Sequence, residues 1–361
     1  MHFLFWLSSA AAEPELKLWH AYRGAEREAL EQLAEDFAKE TPGLEISTLA
    51  LPYDSFSSKL EAAIPRGNGP DLFIAAHERI GAWSQAGLIT PVELPDGGSL
   101  HPTTVEAVQF GGETYGIPLS FKCLALFVND SLLDNVPKTT GELLELETAS
   151  GVFPLAYQAT EPYYHAPWLH GFGTGLFDSS GEPALSSPSN AESLDFLLEL
   201  QRRKLVPEEP TSALVSQLFN EGKAAMVING PWFLGEIREG VPFSVHPLPT
   251  VTETGRPAEP FLTVEAAFVS AESQRKEAAG RLARFLASEK GAVLRAVKGR
   301  QSVATMSAYS DPSLQSDRIL DAFRKQLDLS RPLPNRPEMA ATWEPMARAV
   351  RRVSRGELPA H

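Results

Sequence analysis

Apolar and polar residues follow two rhythms along this chain. Leu16-Lys17-Leu18-Trp19-His20 spaces its apolar positions by two and predicts a strand over 16–20. From Gly24 to Glu40, Leu30, Leu33, Ala34 and Phe37 recur at steps of three and four, so this stretch reads as an amphipathic helix. Thr41-Pro42-Gly43 ends it. A second strand follows at 44–49, then a helix from Ser55 to Ile64 stopped by Pro65 and Gly67. A third strand covers 71–75, and a short helix runs from Glu78 to Gln85. Strand and helix in strict alternation predict a largely parallel sheet with helices on both faces.

The pattern then resumes. Residues 107–120 read as a hairpin around Gly111-Gly112, and 124–130 as an apolar strand. A helix near 139–148, a strand at 153–157 and a helix after Pro162 come next. Helices at 188–203 and 211–221 lead to a strand at 224–228. Strands at 243–249 and 261–271 flank a polar loop at 251–260, and the rest from 273 is mostly helical. There is no internal repeat. At 361 residues the chain exceeds an ordinary single domain, and two α/β units are the simplest organisation.

Charge narrows the range of partners. The net charge of -14 argues against nucleic acid, which needs clustered Lys and Arg to neutralise phosphate. The single cysteine, Cys123, allows no internal disulfide and no cysteine metal site. No metal-binding histidine spacing and no Gly-x-Ser-x-Gly elbow occur, and the glycines of 170–175 follow a helix rather than a strand. No cofactor is expected. An apolar run at 3–7 and small residues at 9–12 read as a signal remnant over 1–12, implying export.

Chemistry gathers at the strand ends, where open α/β sheets hold their ligands. Trp19 to Gly24 follows the first strand, and Ala76-His77-Glu78-Arg79 follows the third. Glu161-Pro162-Tyr163-Tyr164 opens a helix, and Asn229-Gly230-Pro231-Trp232 follows the strand at 224–228. Indole and phenol rings beside carboxylates and guanidinium suit a sugar. Its C–H face packs on a ring, while its hydroxyl rim bonds to charged groups. Each group also has a plainer reading: Trp232 and Trp343 as packing residues, Glu161 as a helix-dipole partner and Lys122 as a solvated charge.

The stretches GPDLFIAAHERIGAWSQAGLITPV, YGIPLSFKCLALFVND, EPYYHAPWL, FNEGKAAMVINGPWF and EPFLTVEAAFVSA occur in this order. Together they resemble the maltose/maltodextrin-binding proteins of ABC importers, within the extracellular solute-binding proteins, over residues 15 to 355. The resemblance implies a two-lobed periplasmic-binding-protein fold of the type II kind. Each lobe would be a mainly parallel sheet flanked by helices, with one lobe over 13–118 plus 262–310 and the other over 123–257 plus 315–361. Hinge crossings would lie at 118–123, 258–262 and 310–315.

It further implies a non-catalytic, monomeric, periplasmic protein that passes an oligosaccharide to an inner-membrane permease. Glu78 and Arg79 match hydroxyl-binding positions on the first lobe, Glu161 and Tyr163 match positions on the second, and Trp232 and Trp343 match stacking aromatics. Tyr22 and Arg23 fall near a polar pair of the family, and Arg348 near a cleft arginine. Two positions depart from it: Ala75 stands where the family has a third stacking tryptophan, and Lys122 where it has a hinge glutamate. A glycoside-active enzyme using Glu161 with Glu265 or Glu78 remains the alternative, as does a binding protein for a non-sugar solute.

Overall fold

Periodicity of two and of three-to-four sorts the chain into strands and helices whose apolar faces meet. A computed structural model describes residues 15–95, 97–178, 181–184 and 186–360; the stretch read as a signal remnant lies outside them. The first elements are β1 (Glu15–His20), α1 (Gly24–Glu40), β2 (Glu45–Ala50), α2 (Tyr53–Ala63), β3 (Leu72–Ala76) and α3 (Ile80–Gln85). Then come α4 (Pro102–Ala107), the small ribbon β4 (Gln109–Phe110) with β5 (Glu113–Thr114), β6 (Gly116–Lys122) and β7 (Ala125–Asn129). Next are α5 (Thr140–Leu144), β8 (Phe153–Ala156), α6 (Pro162–Gly171), α7 (Pro188–Arg202), α8 (Ser212–Asn220) and β9 (Ala224–Asn229). β10 (Phe243–His246), the ribbon β11 (Thr250–Val251) with β12 (Arg256–Pro257), and β13 (Phe261–Val269) precede α9 (Lys276–Leu286) and α10 (Glu289–Val297). The chain ends with α11 (Pro312–Gln315), α12 (Arg318–Leu327), β14 (Arg331–Pro332) and α13 (Met339–Ser354).

Two sheets result. In the first, β2, β1 and β3 are parallel, β13 joins β3 antiparallel, and β6 lies on the other flank of β13. β14 runs beside the first residues of β13. The second sheet has the order β10-β7-β9-β8, with only β8 and β9 parallel. The antiparallel partners arise because β7 and β13 enter their sheets directly from the other one. The chain passes from the first sheet to the second between Lys122 and Ala125 and returns between Pro257 and Phe261. It crosses again between α11, which packs on α10, and α12, which packs on β10 and β7.

The helices bury the stripes their spacing predicts. Ala279, Leu282, Ala283 and Leu286 of α9 meet Leu16, Leu18, Ile74 and Ile117 on one face of the first sheet. On its other face Phe73 stacks on its register partner Phe268 at 5.4 Å, and Trp83 meets both rings edge-on. Side chains of Thr139, Ser187, Thr211 and Ser288 each accept a hydrogen bond from a first-turn N–H of the helix that follows. Two local features differ from the pattern reading. The first part of the supposed 107–120 hairpin follows an unforeseen helix, α4, started by Pro102. Its last part, β6, pairs with distant β13 rather than with the ribbon at Gly111-Gly112. A two-residue spacing shows that a strand exists but not which strand it joins.

His77 ties three segments together. Its Nδ1 accepts from the Val264 N–H at 3.0 Å, and its Nε2 donates to the Leu333 carbonyl at 2.8 Å. Because the Val264 amide needs an acceptor, the ring is neutral. Burial pulls its pKa down to about 4, against the pull of the bond donated to the Leu333 carbonyl. Burial likewise draws His165 down to about 4 and His170 down to about 3.

Unfolded histidines take up protons near pH 6.5 and these native ones do not, so stability falls as pH drops from about 6.5 towards 4. The thermal midpoint should decline through that window, with His77 alone contributing roughly 3 kcal/mol at its lower end. His77→Gln should lower the midpoint at pH 8 and flatten its slope between pH 6.5 and 4. A slope identical to that of the unsubstituted protein would contradict the neutral, buried state.

Candidate functional site

Three donors converge on one carboxylate in the middle of β13, between β3 and β6 of the first sheet. Glu265 Oε2 accepts from the Tyr22 hydroxyl at 3.0 Å and from the Ser120 hydroxyl at 3.1 Å, and Oε1 accepts from Lys122 Nζ at 2.9 Å. The local sequence explains the meeting. Ser120 and Lys122 are two apart on β6 and share a face. Glu265 pairs with Ser120, yet Ala266 pairs with Pro118, so Leu119 is left over as a β-bulge. Pro118 has no N–H to give the ladder and fits such an irregular position. On the opposite flank Glu265 pairs with Ala76, whose small side chain leaves the space in front of the carboxylate open.

That space is a cavity of about 540 Å³ lined by Tyr22, Glu26, Tyr53, Asp54, Ala75, Glu78, Arg79, Trp83, Lys122 and Glu265, among others. Tyr53 begins α2 directly after β2 and is 65% exposed, with its ring at the cavity wall. Glu61 accepts from the Trp83 indole at 3.2 Å and pairs with Arg79 at 3.5 Å. Burial pushes the Glu78 carboxyl up while adjacent Arg79 pulls it down. Glu26 is also pushed up by burial, opposed by Lys122. For Lys122, burial acts downward, but Glu265 and Glu26 outweigh it and the net direction is up. The site therefore combines half-buried carboxylates with a firmly charged lysine.

A second cavity of about 290 Å³ shares Glu26 and Lys122 with the first and adds Ser120, Pro231, Trp232, Arg300 and Gln301. Trp232 follows β9 of the second sheet, so this gap is walled by both sheets. The run Asn229-Gly230-Pro231-Trp232 sets the indole in place. Asn229 Oδ1 accepts from the Gly230 N–H at 2.9 Å and from the Tyr164 hydroxyl at 3.2 Å. Pro231 starts a short 3-10 turn, and the indole folds back over Gly230, where a Cβ would collide with the ring. Trp232 is 42% exposed. A row of rings leads away from it: Tyr163 at 6.4 Å, then Phe261 at 6.2 Å from Tyr163, then Trp343 at 6.1 Å from Phe261.

Of the residues singled out from sequence, Tyr22, Glu78, Arg79 and Lys122 line the first cavity, and Lys122 and Trp232 the second. Tyr163 and Trp343 stand behind Trp232 in the ring row. Glu161 lies apart: it pairs with Arg351 at 3.1 Å on a separate cavity beside Glu209 and Arg355. Arg23 is exposed at the start of α1, outside both adjoining cavities, and Arg348 is exposed and pairs with Glu344 at 3.6 Å. Glu161 and Glu265 thus line different cavities, and Glu265 is engaged by three donors.

Sequence reading passed over Tyr53, Asp54 and Glu26. Applying the strand-end rule to β2, as to the other strands, points directly to Tyr53 and Asp54. No comparable local signal marks Gln301 or Arg300, whose place depends on where α10 packs. Removing the charge of Glu265 leaves Lys122 without its carboxylate. Glu265→Gln should therefore lower the unfolding free energy by about 1.5–3 kcal/mol in urea titrations; an unchanged midpoint would mean that the three bonds hold nothing together.

This geometry has relatives. Residues 32–321 match the model of the bacterial extracellular solute-binding protein family. A maltotriose-binding protein of Pyrococcus abyssi is 27% identical over 340 residues, 90% of this chain and 74% of that protein. A galactooligosaccharide-binding protein of Bacillus subtilis is 28% identical over 334 residues, 87% of this chain and 79% of that protein. A crystal structure of a cyclo/maltodextrin-binding protein complexed with maltotetraose superimposes with a TM-score of 0.90 at 26% identity, covering 97% of this chain and 94% of that one. With a matched region that spans most of its length and two α/β sheets facing a common gap, the chain belongs to the bacterial extracellular solute-binding proteins.

Proposed function

We propose that this protein captures a maltodextrin-like oligosaccharide in the gap between its two sheets and delivers it to an ABC importer of the inner membrane. The observation that carries this reading is the pair of adjoining cavities joined through Glu26 and Lys122. Each sheet contributes an exposed ring, Tyr53 from the first and Trp232 from the second, and polar groups line the cavities with them. Relatives named for maltotriose and maltodextrin, and the maltotetraose complex, support the choice of an α-glucan.

In this reading Tyr22, Glu78, Arg79 and Lys122 hold the hydroxyls, Trp232 supports a ring face, and Tyr163 and Trp343 back the Trp232 platform. Glu161 acts through its pair with Arg351 rather than on the sugar. The absence of a ring at Ala75 leaves the first cavity wide, and Lys122 supplies a cationic donor where the family carries a carboxylate. Ligand bound to both walls favours the closed arrangement, because only contacts that differ between open and closed forms shift that equilibrium. The lobes would be 13–118 with 262–310 and 123–257 with 315–361, turning about 118–123, 258–262 and 310–315. The protein would act as a monomer in the periplasm. Among the described residues no helix is long and apolar enough to cross a membrane.

Isothermal titration with maltotriose should give binding in the micromolar range, about 8 kcal/mol. Trp232→Ala should weaken it by about tenfold or more with an unchanged circular dichroism spectrum. Gly230→Ala should weaken it too, by displacing the indole. Equal affinity for a β-linked galactotriose would set aside the α-glucan assignment. Unaltered affinity in Trp232→Ala would set aside the gap as the site.

A further inference from the structure

The stretch after α10 is fixed along the edge of β6 that faces away from β13. Ser120 and Val303 form an antiparallel bridge, the Ala304 N–H donates to the Leu119 carbonyl at 3.1 Å, and the Phe121 N–H donates to the Ser302 carbonyl at 2.8 Å. Continued by two residues, that register brings Gln301 opposite Lys122. Gln301 Nε2 donates to Glu26 Oε1 at 3.4 Å. Glu26 and Lys122 are common to both cavities, so Gln301 stands where the cavities join, and with Arg300 it lines the second.

Folding alone explains neither side chain. Gln301 is 4% exposed, and its Oε1 has no hydrogen-bond partner among the described residues. A buried amide oxygen without a donor costs stability. Arg300 has a φ of +55°, a left-handed conformation that glycine or asparagine adopts at less cost. Its side chain is exposed and forms an ion pair from Nη1 to Asp317 Oδ2 at 2.9 Å. The other oxygen of Asp317 caps α12, accepting from the N–H groups of Ile319 and Leu320. The guanidinium is thus steadied on one side, and a guanidinium has five N–H donors to give.

The two residues are adjacent and border the same gap as the Trp232 indole. An acceptor beside a donor fits hydroxyl groups, which take part in both kinds of bond. We propose that Arg300 and Gln301 bind the captured oligosaccharide: they hold the hydroxyl rim of the sugar unit whose ring face rests on Trp232, Gln301 Oε1 accepting from one hydroxyl and Arg300 donating to another. The sugar then supplies the donor that the fold does not give the amide oxygen. This rests on the oligosaccharide reading above.

The test measures melting temperature without ligand, and maltotriose affinity by calorimetry, for the full chain and for Gln301→Met, Arg300→Asn, Trp232→Ala and the Arg300→Asn, Trp232→Ala double variant. Gln301→Met removes the unpaired oxygen at similar size, and Arg300→Asn suits the left-handed backbone but carries no charge. Each of these two should melt within about 3 °C of the unsubstituted protein and bind about tenfold more weakly. Because Arg300 and Trp232 hold the same sugar unit, the double variant should lose less affinity than the product of the two single losses. Unchanged affinity in Gln301→Met or Arg300→Asn, with weakened binding in Trp232→Ala, overturns the inference and leaves the capture reading intact. So does a Gln301→Met protein that melts far lower, since the amide would then serve the fold. Losses that multiply in full put the pair and the indole on different units and also overturn it. If the unsubstituted protein binds neither maltotriose nor galactotriose, the capture reading falls, and this inference with it.

Discussion

The interaction on which the rest of the structure turns is the convergence of Tyr22, Ser120 and Lys122 on Glu265. It links three pieces of chain that are far apart in sequence: the loop after β1, the last residues of β6 before the chain leaves the first sheet, and the middle of β13 after the chain returns. A bulge at Leu119 aligns the donors, and Ala76 on the other flank keeps the front of the carboxylate clear. These four groups thus join the outgoing and returning strands, and three of them, Tyr22, Lys122 and Glu265, line the first cavity. Disturbing them affects both the fold and the site.

Around these groups the two sheets supply different things. The first gives charge: half-buried Glu26 and Glu78, both pushed up by burial, with Arg79 and Lys122 among them. The second gives a ring, Trp232, laid over Gly230 and backed by Tyr163, Phe261 and Trp343. A neutral, hydroxyl-rich ring with one apolar face complements that division. Ala75 lines the first cavity together with Tyr53 and Trp83, and Lys122, at the chain crossing, is a donor bound to Glu265.

Much of this was legible in the sequence because it depends on local rules. The run from β1 to β3 follows from apolar spacing and from the prolines and glycines that end each helix. Trp232 and the Glu78–Arg79 pair follow from the rule that strand ends carry ligands. Three kinds of feature were not legible. The partner of β6 was missed because spacing specifies a face and not a neighbour. Glu161 was placed with the sugar-binding groups because its strand-end position is right, but Arg351, 190 residues further on, draws it to another cavity. The role of Glu265 in the site was hidden because its three partners come from segments 143 to 243 residues away, and no local pattern records them.

The central claim is that one oligosaccharide lies across the Glu265 cluster and touches both walls. A crystal structure of the protein with maltotriose tests it most directly. The account predicts sugar density in the joined cavities, with hydroxyls within hydrogen-bond reach of Lys122 and at least one of Tyr22 and Glu78, and a ring face against the Trp232 indole. A sugar seated elsewhere, with the gap between Tyr53 and Trp232 empty, would contradict it.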